Sequence, residues 1–419
     1  MTTAMTTLSG SSGSLIPEAA TREGNDPIFA LHGEAVRRAE AGESILNSTL
    51  GALMNDDGSL AVMPAAAEAL GRVPHARAAG YAPISGDPPY LAAVIADLLG
   101  EGGLAEQAVA VATPGSTGAI HHAILNFLEP GQAALTPSYY WGPYHTISTH
   151  SGRAVETFNM FDAGIRLDVE AFRAGLEGQI ERQGRSLVLF NFPCNNPTGY
   201  SLDESEWEAV AEIVREVGRR GPVAFLLDHA YAKFGDEGSN GWIGQLPRMM
   251  ESATVLVGWT VSKSFALYGA RVGALVALHR EAEERQRISN ALGFSCRATW
   301  SNCNHLGLLG ATKLLTDPEL RRRTEEERAG MIRLLNERVA VFNELAGGAG
   351  LTYPRYEGGF FVSVFTPDAE VTAATMREAG VYVVPMKGAV RIALCATPAH
   401  SIPRLVEALA RGIATARAA

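Results

Sequence analysis

Along the middle of the chain, short and almost wholly apolar runs recur between longer segments of mixed polarity. Ala108–Ala112, Ala133–Leu135, Ser186–Phe190, Val223–Leu227, Thr254–Gly258 and Gly273–Leu278 read as buried strands. The intervening segments carry helical signals. Ala119 to Phe127 reads as a helix closed by Pro130-Gly131. Trp207, Val210, Ala211 and Val214 share one helical face, behind a capping box read at Ser201 and Glu204. Short apolar strands alternating with helices predict an α/β fold with a mostly parallel sheet.

The flanks follow a different pattern. Before the strands, the chain predicts a helix from Asp26 to about Ala41, a short strand Ser44–Asn47 and a helix from Pro64 to about Arg72. Gly80 to Tyr90 reads as a loop punctuated by Gly and Pro. After them, Asp317-Pro318 opens a long charged helix to about Leu345. The remainder alternates strand and helix: Gly358–Phe365, Val371–Ala379, Val381–Val384, Val390–Leu394, and a last helix capped by Ser401.

A length of 419 residues makes two units the natural expectation. The chain divides as a polar tail over 1–25, expected to be disordered, then an N-terminal arm with part of a small domain over 26–60. A large domain over 61–320 and a small C-terminal domain over 321–419 complete it. The Ser/Thr/Gly-rich start lacks the basic and apolar regions of a signal peptide, and no apolar stretch approaches the roughly 20 residues needed to span a bilayer. Four scattered cysteines (Cys194, Cys296, Cys303 and Cys395) have no metal-type spacing and read as reduced thiols, so a cytoplasmic protein is expected. A net charge of −10 argues against a general nucleic-acid partner.

The chemistry centres on Trp259-Thr-Val-Ser-Lys-Ser-Phe-Ala-Leu-Tyr-Gly-Ala-Arg-Val-Gly273. It sets Lys263 just past a buried strand, where desolvation lowers a lysine's pKa and makes it a nucleophile toward carbonyls. Thr260, Ser262 and Arg271 add hydroxyl and guanidinium donors that suit a phosphate. An aldehyde that also carries a phosphate, such as pyridoxal phosphate, would be held at both ends. Thr113-Pro-Gly-Ser-Thr-Gly118, between a strand and a helix, is a second anion-binding signal, and it lacks the lysine of a nucleotide-binding P-loop. Pro137-Ser-Tyr-Tyr-Trp-Gly-Pro-Tyr144 offers aromatic faces for a flat heterocycle. Ligands of open α/β sheets bind beyond the carboxyl ends of the strands. Ser116, this aromatic cluster, Asn196, Asp228 and Lys263 all fall at that end.

Three segments then coincide in order and spacing: Asn195-Asn-Pro-Thr-Gly199, Asp228-His-Ala-Tyr231, and Ser262-Lys-x4-Tyr-Gly-x-Arg-Val-Gly273. Together they resemble the class I aminotransferases among the fold-type I pyridoxal-phosphate enzymes, nearest the aspartate and aromatic amino acid enzymes, from Asp26 to the end. The resemblance implies a large domain with a mostly parallel sheet plus a smaller α/β domain drawn from both chain ends. It implies that Lys263 bonds the cofactor aldehyde and moves a proton at the substrate α-carbon, that Asp228 pairs with the pyridine nitrogen, and that Asn196 and Tyr231 donate to the ring oxygen. Ser116, Thr117, Thr260 and Arg271, with Ser262 beside them, match the phosphate cup. Trp141 matches the stacking aromatic, with Tyr139 and Tyr140 as alternatives.

For substrate, the resemblance makes Arg391 the partner of the α-carboxylate, with Gly51 where backbone closes over it. Arg297 would reach a distal carboxylate, and Tyr81 the phosphate, both from a neighbouring subunit; a homodimer with composite sites follows. The expected reaction is ping-pong transfer from an L-amino acid of aspartate or aromatic type to a 2-oxo acid such as 2-oxoglutarate. A lyase, decarboxylase or oxidase reaction on the same cofactor is the alternative. The chain also departs from the aspartate enzymes: Tyr144 and Asn191 stand where histidines usually back the aspartate, which puts strict aspartate specificity in question. Phe360 and Phe361 read equally as pocket or core.

Overall fold

The computed structural model describes residues 14–22, 24, 26–235 and 237–418. Of the tail expected to be disordered, residues 1–13, 23 and 25 lie outside the described residues, and Pro17–Ala20 form one helical turn with no buried side chain.

Among the described residues, seven strands form the main sheet. In spatial order these are Ala108–Thr113, Gly273–Leu278, Ala253–Thr260, Val223–Asp228, Ser186–Phe190, Ala133–Pro137 and Ala154–Phe158. Gly273–Leu278 runs antiparallel to both neighbours and every other pairing is parallel. The central strands are buried along their whole length, which is why they read as unbroken apolar runs. Their alternation divides the core in two. Val188, Phe190, Phe225, Leu227, Val255 and Val257 face one helical layer, while Leu187, Leu189, Ala224, Leu226 and Leu256 face the other.

Several elements differ from the expected ones. The capping box is Asp203 with Glu206, not Ser201 with Glu204: Asp203 accepts from the Glu206 N–H and Glu206 accepts from the Asp203 N–H. Ser201 instead accepts from the Cys194 N–H. The end of the loop read from Gly80 to Tyr90 is the start of a helix, Pro88–Leu99, because proline suits a first helical turn as well as a loop. The helices Ala282–Thr299 and His305–Thr316 and the edge strand Ala154–Phe158 carry weak patterns and were not anticipated. The expected strand Val381–Val384 is two strands in different sheets.

Both chain ends build the smaller sheets. Leu46–Asn47 pairs in parallel with Val381–Tyr382, and Phe361–Phe365, Ala389–Ala393 and Val384–Met386 form an antiparallel sheet. The long helix Pro318–Gly348, capped by Asp317 as expected, runs past them and contributes Arg338, which is fully buried. Its guanidinium donates to Leu394 O and Cys395 O on one side and to Met54 O and Asp56 Oδ1 on the other. One cation therefore joins the segments that lead to Gly51 and to Arg391. Replacing it removes all four hydrogen bonds at once, so Arg338→Leu is expected to cost about 1.5–3 kcal/mol, read as a lowered denaturant midpoint; an unchanged midpoint would remove Arg338 as the tie.

Candidate active site

At the carboxyl ends of the parallel strands lies a cavity of about 190 Å³, lined by Ser116, Thr117, Trp141, Asn191, Asn196, Asp228, Ala230, Tyr231, Thr260, Ser262, Lys263 and Arg271. Asp228 ends its strand at the floor, 4% exposed. Ser116 Oγ donates to one carboxylate oxygen at 2.6 Å and Tyr144 Oη to the other at 2.9 Å. Burial pushes the carboxyl above its ordinary range, while these hydrogen bonds and nearby Lys263 pull it back. Tyr144 is fully buried, stacks beside Tyr140 and meets Trp141 edge-on.

The Asn-Asn-Pro-Thr-Gly turn shows how backbone chemistry presents a side chain. Asn195 folds back to accept from the N–H and hydroxyl of Thr198. Gly199 is left-handed (φ 74°), and a Cβ there would run into Phe361 O and the Tyr356 ring. Asn191 accepts from the Asn196 N–H at 2.7 Å and donates to Asp228 O at 2.9 Å, locking the turn to the neighbouring strand end. Asn196 Nδ2 then lies 3.4 Å from the Tyr231 hydroxyl.

Opposite Asp228, Thr260 caps the turn Val261–Ser264 that carries Lys263. Burial lowers the Lys263 pKa to about 8; Arg271 also lowers it, while Cys395 and Asp228 oppose. Thr260 Oγ1, Ser262 Oγ and the Arg271 guanidinium form a hydrogen-bonded row. Arg271 is itself left-handed (φ 52°), and its second nitrogen sits 3.5 Å from Thr117 Oγ1. A Cβ on Gly115 would come within 2.5 Å of that guanidinium, so the glycine leaves it room. Ser116 and Thr117 lie in the first turn of the helix Gly115–Phe127, where backbone N–H groups lack intrahelical partners.

A profile of the family described as "Aminotransferase class I and II" matches residues 47–409. The chain belongs to this family. It is 29% identical over 405 residues to an aromatic-amino-acid aminotransferase of Paracoccus denitrificans, covering 95% of this chain and 98% of that one. An aminotransferase structure from Anaerococcus prevotii superposes with a TM-score of 0.88 at 29% identity, covering 96% and 99% of the two chains. An aromatic-amino-acid aminotransferase from Burkholderia pseudomallei, covalently bound to pyridoxal phosphate, superposes at 0.79 with 25% identity, covering 95% and 100%. The fold-type I architecture and amino-group transfer expected from the sequence hold.

The remaining candidate residues of this aminotransferase fall in two places. Arg391 is buried beside the cavity, donating to Thr49 O at 2.6 Å and lying 3.5 Å from Asn196 Oδ1; its Nε has no partner among the described residues. Its guanidinium stacks 4.6 Å from the Phe361 ring, and a Cβ on Gly51 would come within 2.5 Å of that ring. Phe360 and Phe361 are both buried, against Phe234, Tyr231 and Arg391.

Arg297 and Tyr81 lie away from the cavity. Arg297 is exposed and donates to Ser301 Oγ. Tyr81 is 92% exposed on a loop held by Asn302, which accepts from the Ala82 N–H, and by His305, whose Nδ1 is 2.8 Å from Gly80 O. Of the three aromatic candidates, Trp141 lines the cavity, whereas Tyr139 packs against Phe161 and Phe365 and Tyr140 beside Tyr144. Ser116, grouped with the phosphate residues, sends its hydroxyl to Asp228. Asn191 and Tyr144 enter as brackets of Asp228, a role that only their standing in the places of the expected histidines signalled.

The depressed pKa makes Lys263 selectively reactive in the ligand-free protein. At pH 8 about half of it is deprotonated, against well under 1% of an ordinary lysine. Pyridoxal phosphate with borohydride should therefore trap Lys263 roughly a hundredfold faster than an ordinary lysine. The rate should rise as pH passes about 8. Peptide mapping reads the site, and even labelling of all four lysines would contradict it.

Proposed function

We propose that this protein moves the amino group of an L-amino acid of aspartate or aromatic type to a 2-oxo acid, 2-oxoglutarate among them, in two ping-pong half-reactions with pyridoxal phosphate held in the cavity. One observation carries the reading: Asp228, Lys263 and Arg271 line the cavity, Arg391 lies beside it against Asn196, and none of the four makes an ion pair among the described residues. Each has the chemistry to meet a different group: a buried carboxylate for a ring cation, a desolvated amine for an aldehyde, and two guanidinium groups for a phosphate and a carboxylate.

The residues present fit the cofactor. Lys263 would bond its aldehyde, Asp228 its ring nitrogen, Asn196 and Tyr231 its ring oxygen, and Trp141 would cover its face. Thr117, Thr260, Ser262, Arg271 and the first-turn N–H groups at Ser116 and Thr117 would hold its phosphate. When bound, pyridoxal phosphate supplies an aldehyde carbon that takes the amino group and a ring that draws electron density from the substrate α-carbon. Asp228 would keep the ring nitrogen protonated. Arg391 orients the α-carboxylate, with Gly51 closing over it. Lys263, as a free amine, would take and return the α-proton.

Both exposed candidates belong to a homodimer in this reading. Asn302 ties the Tyr81 loop to the end of the helix that bears Arg297 and the 78% exposed Phe294, so one face presents all three. A second copy would receive Tyr81 near its phosphate site and Arg297 near its substrate. The large unit is residues 61–320 and the smaller one 26–60 with 321–419, with a cytoplasmic setting. No helix among the described residues is long and apolar enough to cross a membrane.

Absorption spectra of the holoenzyme before and after L-aspartate or L-phenylalanine test the half-reaction directly. Arg391→Ala should lower kcat/KM for both donors about a hundredfold, because charge-assisted hydrogen bonds contribute about 1.5–3 kcal/mol each. Arg297→Ala should raise KM for dicarboxylates far more than for phenylalanine, and equal effects on both would sink its assignment. Phe294→Glu should yield monomers in light scattering; an unaltered dimer would place the interface elsewhere.

A further inference from the structure

The lysine motif contains one side chain that the reading above leaves without a role, Tyr268. Its ring face lies 4.7 Å from Lys263 Nζ, nearer than the Tyr231 ring at 6.0 Å. Its hydroxyl accepts from the Leu53 N–H at 3.0 Å, and Leu53 is fully buried. The segment from Ser48 to Met54 is otherwise held by Asn47, by Ala61 N donating to Leu53 O, and mainly from the C-terminal side. Ala393 N donates to Ser48 O, Arg391 to Thr49 O and Cys395 Sγ to Leu50 O, while Met54 N donates to Cys395 O. Among the described residues, Tyr268 makes the one hydrogen bond between this segment and the loop 261–272.

We propose that Tyr268 is a positioning residue that ties the backbone wall of the carboxylate pocket to Lys263. The hydroxyl fixes Leu53, and with it Gly51 and the Thr49 carbonyl that orients Arg391. The ring face stabilises the ammonium form of Lys263. The other groups facing that ammonium are the Tyr231 ring, with Asp228 and Cys395, which favour the charged form, and Arg271, which opposes it. Loss of the hydroxyl should therefore weaken carboxylate binding, and loss of the ring should shift the lysine's titration. The assignment rests on the proposed roles of Lys263 and Arg391.

Two variants separate the two effects. Tyr268→Phe keeps the ring and removes the hydroxyl; Tyr268→Leu removes both. In the ligand-free protein, the pH midpoint for borohydride trapping of Lys263 by pyridoxal phosphate should match the unaltered protein in Tyr268→Phe. It should fall by about half a pH unit in Tyr268→Leu. In the holoenzyme, Tyr268→Phe should raise KM for L-phenylalanine or L-aspartate about fivefold with kcat changed less than twofold. An unmoved KM in Tyr268→Phe, or an unmoved midpoint in Tyr268→Leu, would overturn the proposal. Failure to trap Lys263 in the unaltered protein would instead overturn the site reading beneath it.

Discussion

A carboxylate buried at the end of a central strand governs the arrangement around it. Asp228 has almost no contact with solvent, and both of its oxygens accept hydrogen bonds, one from Ser116 in the cavity wall and one from Tyr144. Burial disfavours its charge, and those donors offset only part of that cost. A group in this condition is stabilised by a cation brought to it. The neighbouring elements are placed accordingly: Asn191 secures its carbonyl, Tyr144 its carboxylate and the edge of Trp141, and Ser116 joins it to the helix that opens the anion site. Tyr144 is a neutral donor, so the bracket holds Asp228 without adding a charge of its own.

The second constraint is that the far wall belongs to other parts of the chain. Arg391 comes from a strand near the C-terminus, Thr49 and Gly51 from near the N-terminus, and Arg338 from the long helix Pro318–Gly348. Arg391 is held by a backbone carbonyl and an aromatic face in place of a carboxylate. Its positive charge therefore remains available, because neither partner neutralises it. The contacts that hold Arg391 close only when both ends of the chain have packed.

Much of this was legible beforehand. The six apolar runs of the main sheet are strands within a few residues of where the pattern put them, because strands buried on both faces have no alternative to continuous hydrophobicity. The edge strand Ala154–Phe158 and the helix Ala282–Thr299 were missed. The first carries a polar glutamate and an exposed alanine, and the second has a diffuse apolar face. The capping box was displaced by two residues because Ser, Asp and Glu recur so closely there that local chemistry supports either register.

The same division holds for the site. Lys263, Asp228, Asn196, Tyr231 and Arg271 were identifiable in sequence because each sits in a short segment whose own backbone chemistry presents it: a strand end, an Asn-capped turn, a Thr-capped turn. Tyr268's link to Leu53, Asn191's bridge and the Arg391–Thr49 clamp were not, since each pairs residues far apart in sequence through one hydrogen bond that leaves no periodicity or spacing behind. Local segments determined which groups could do the chemistry. Only tertiary packing decided which of them share a low-dielectric cavity, and so which are desolvated, unpaired and reactive.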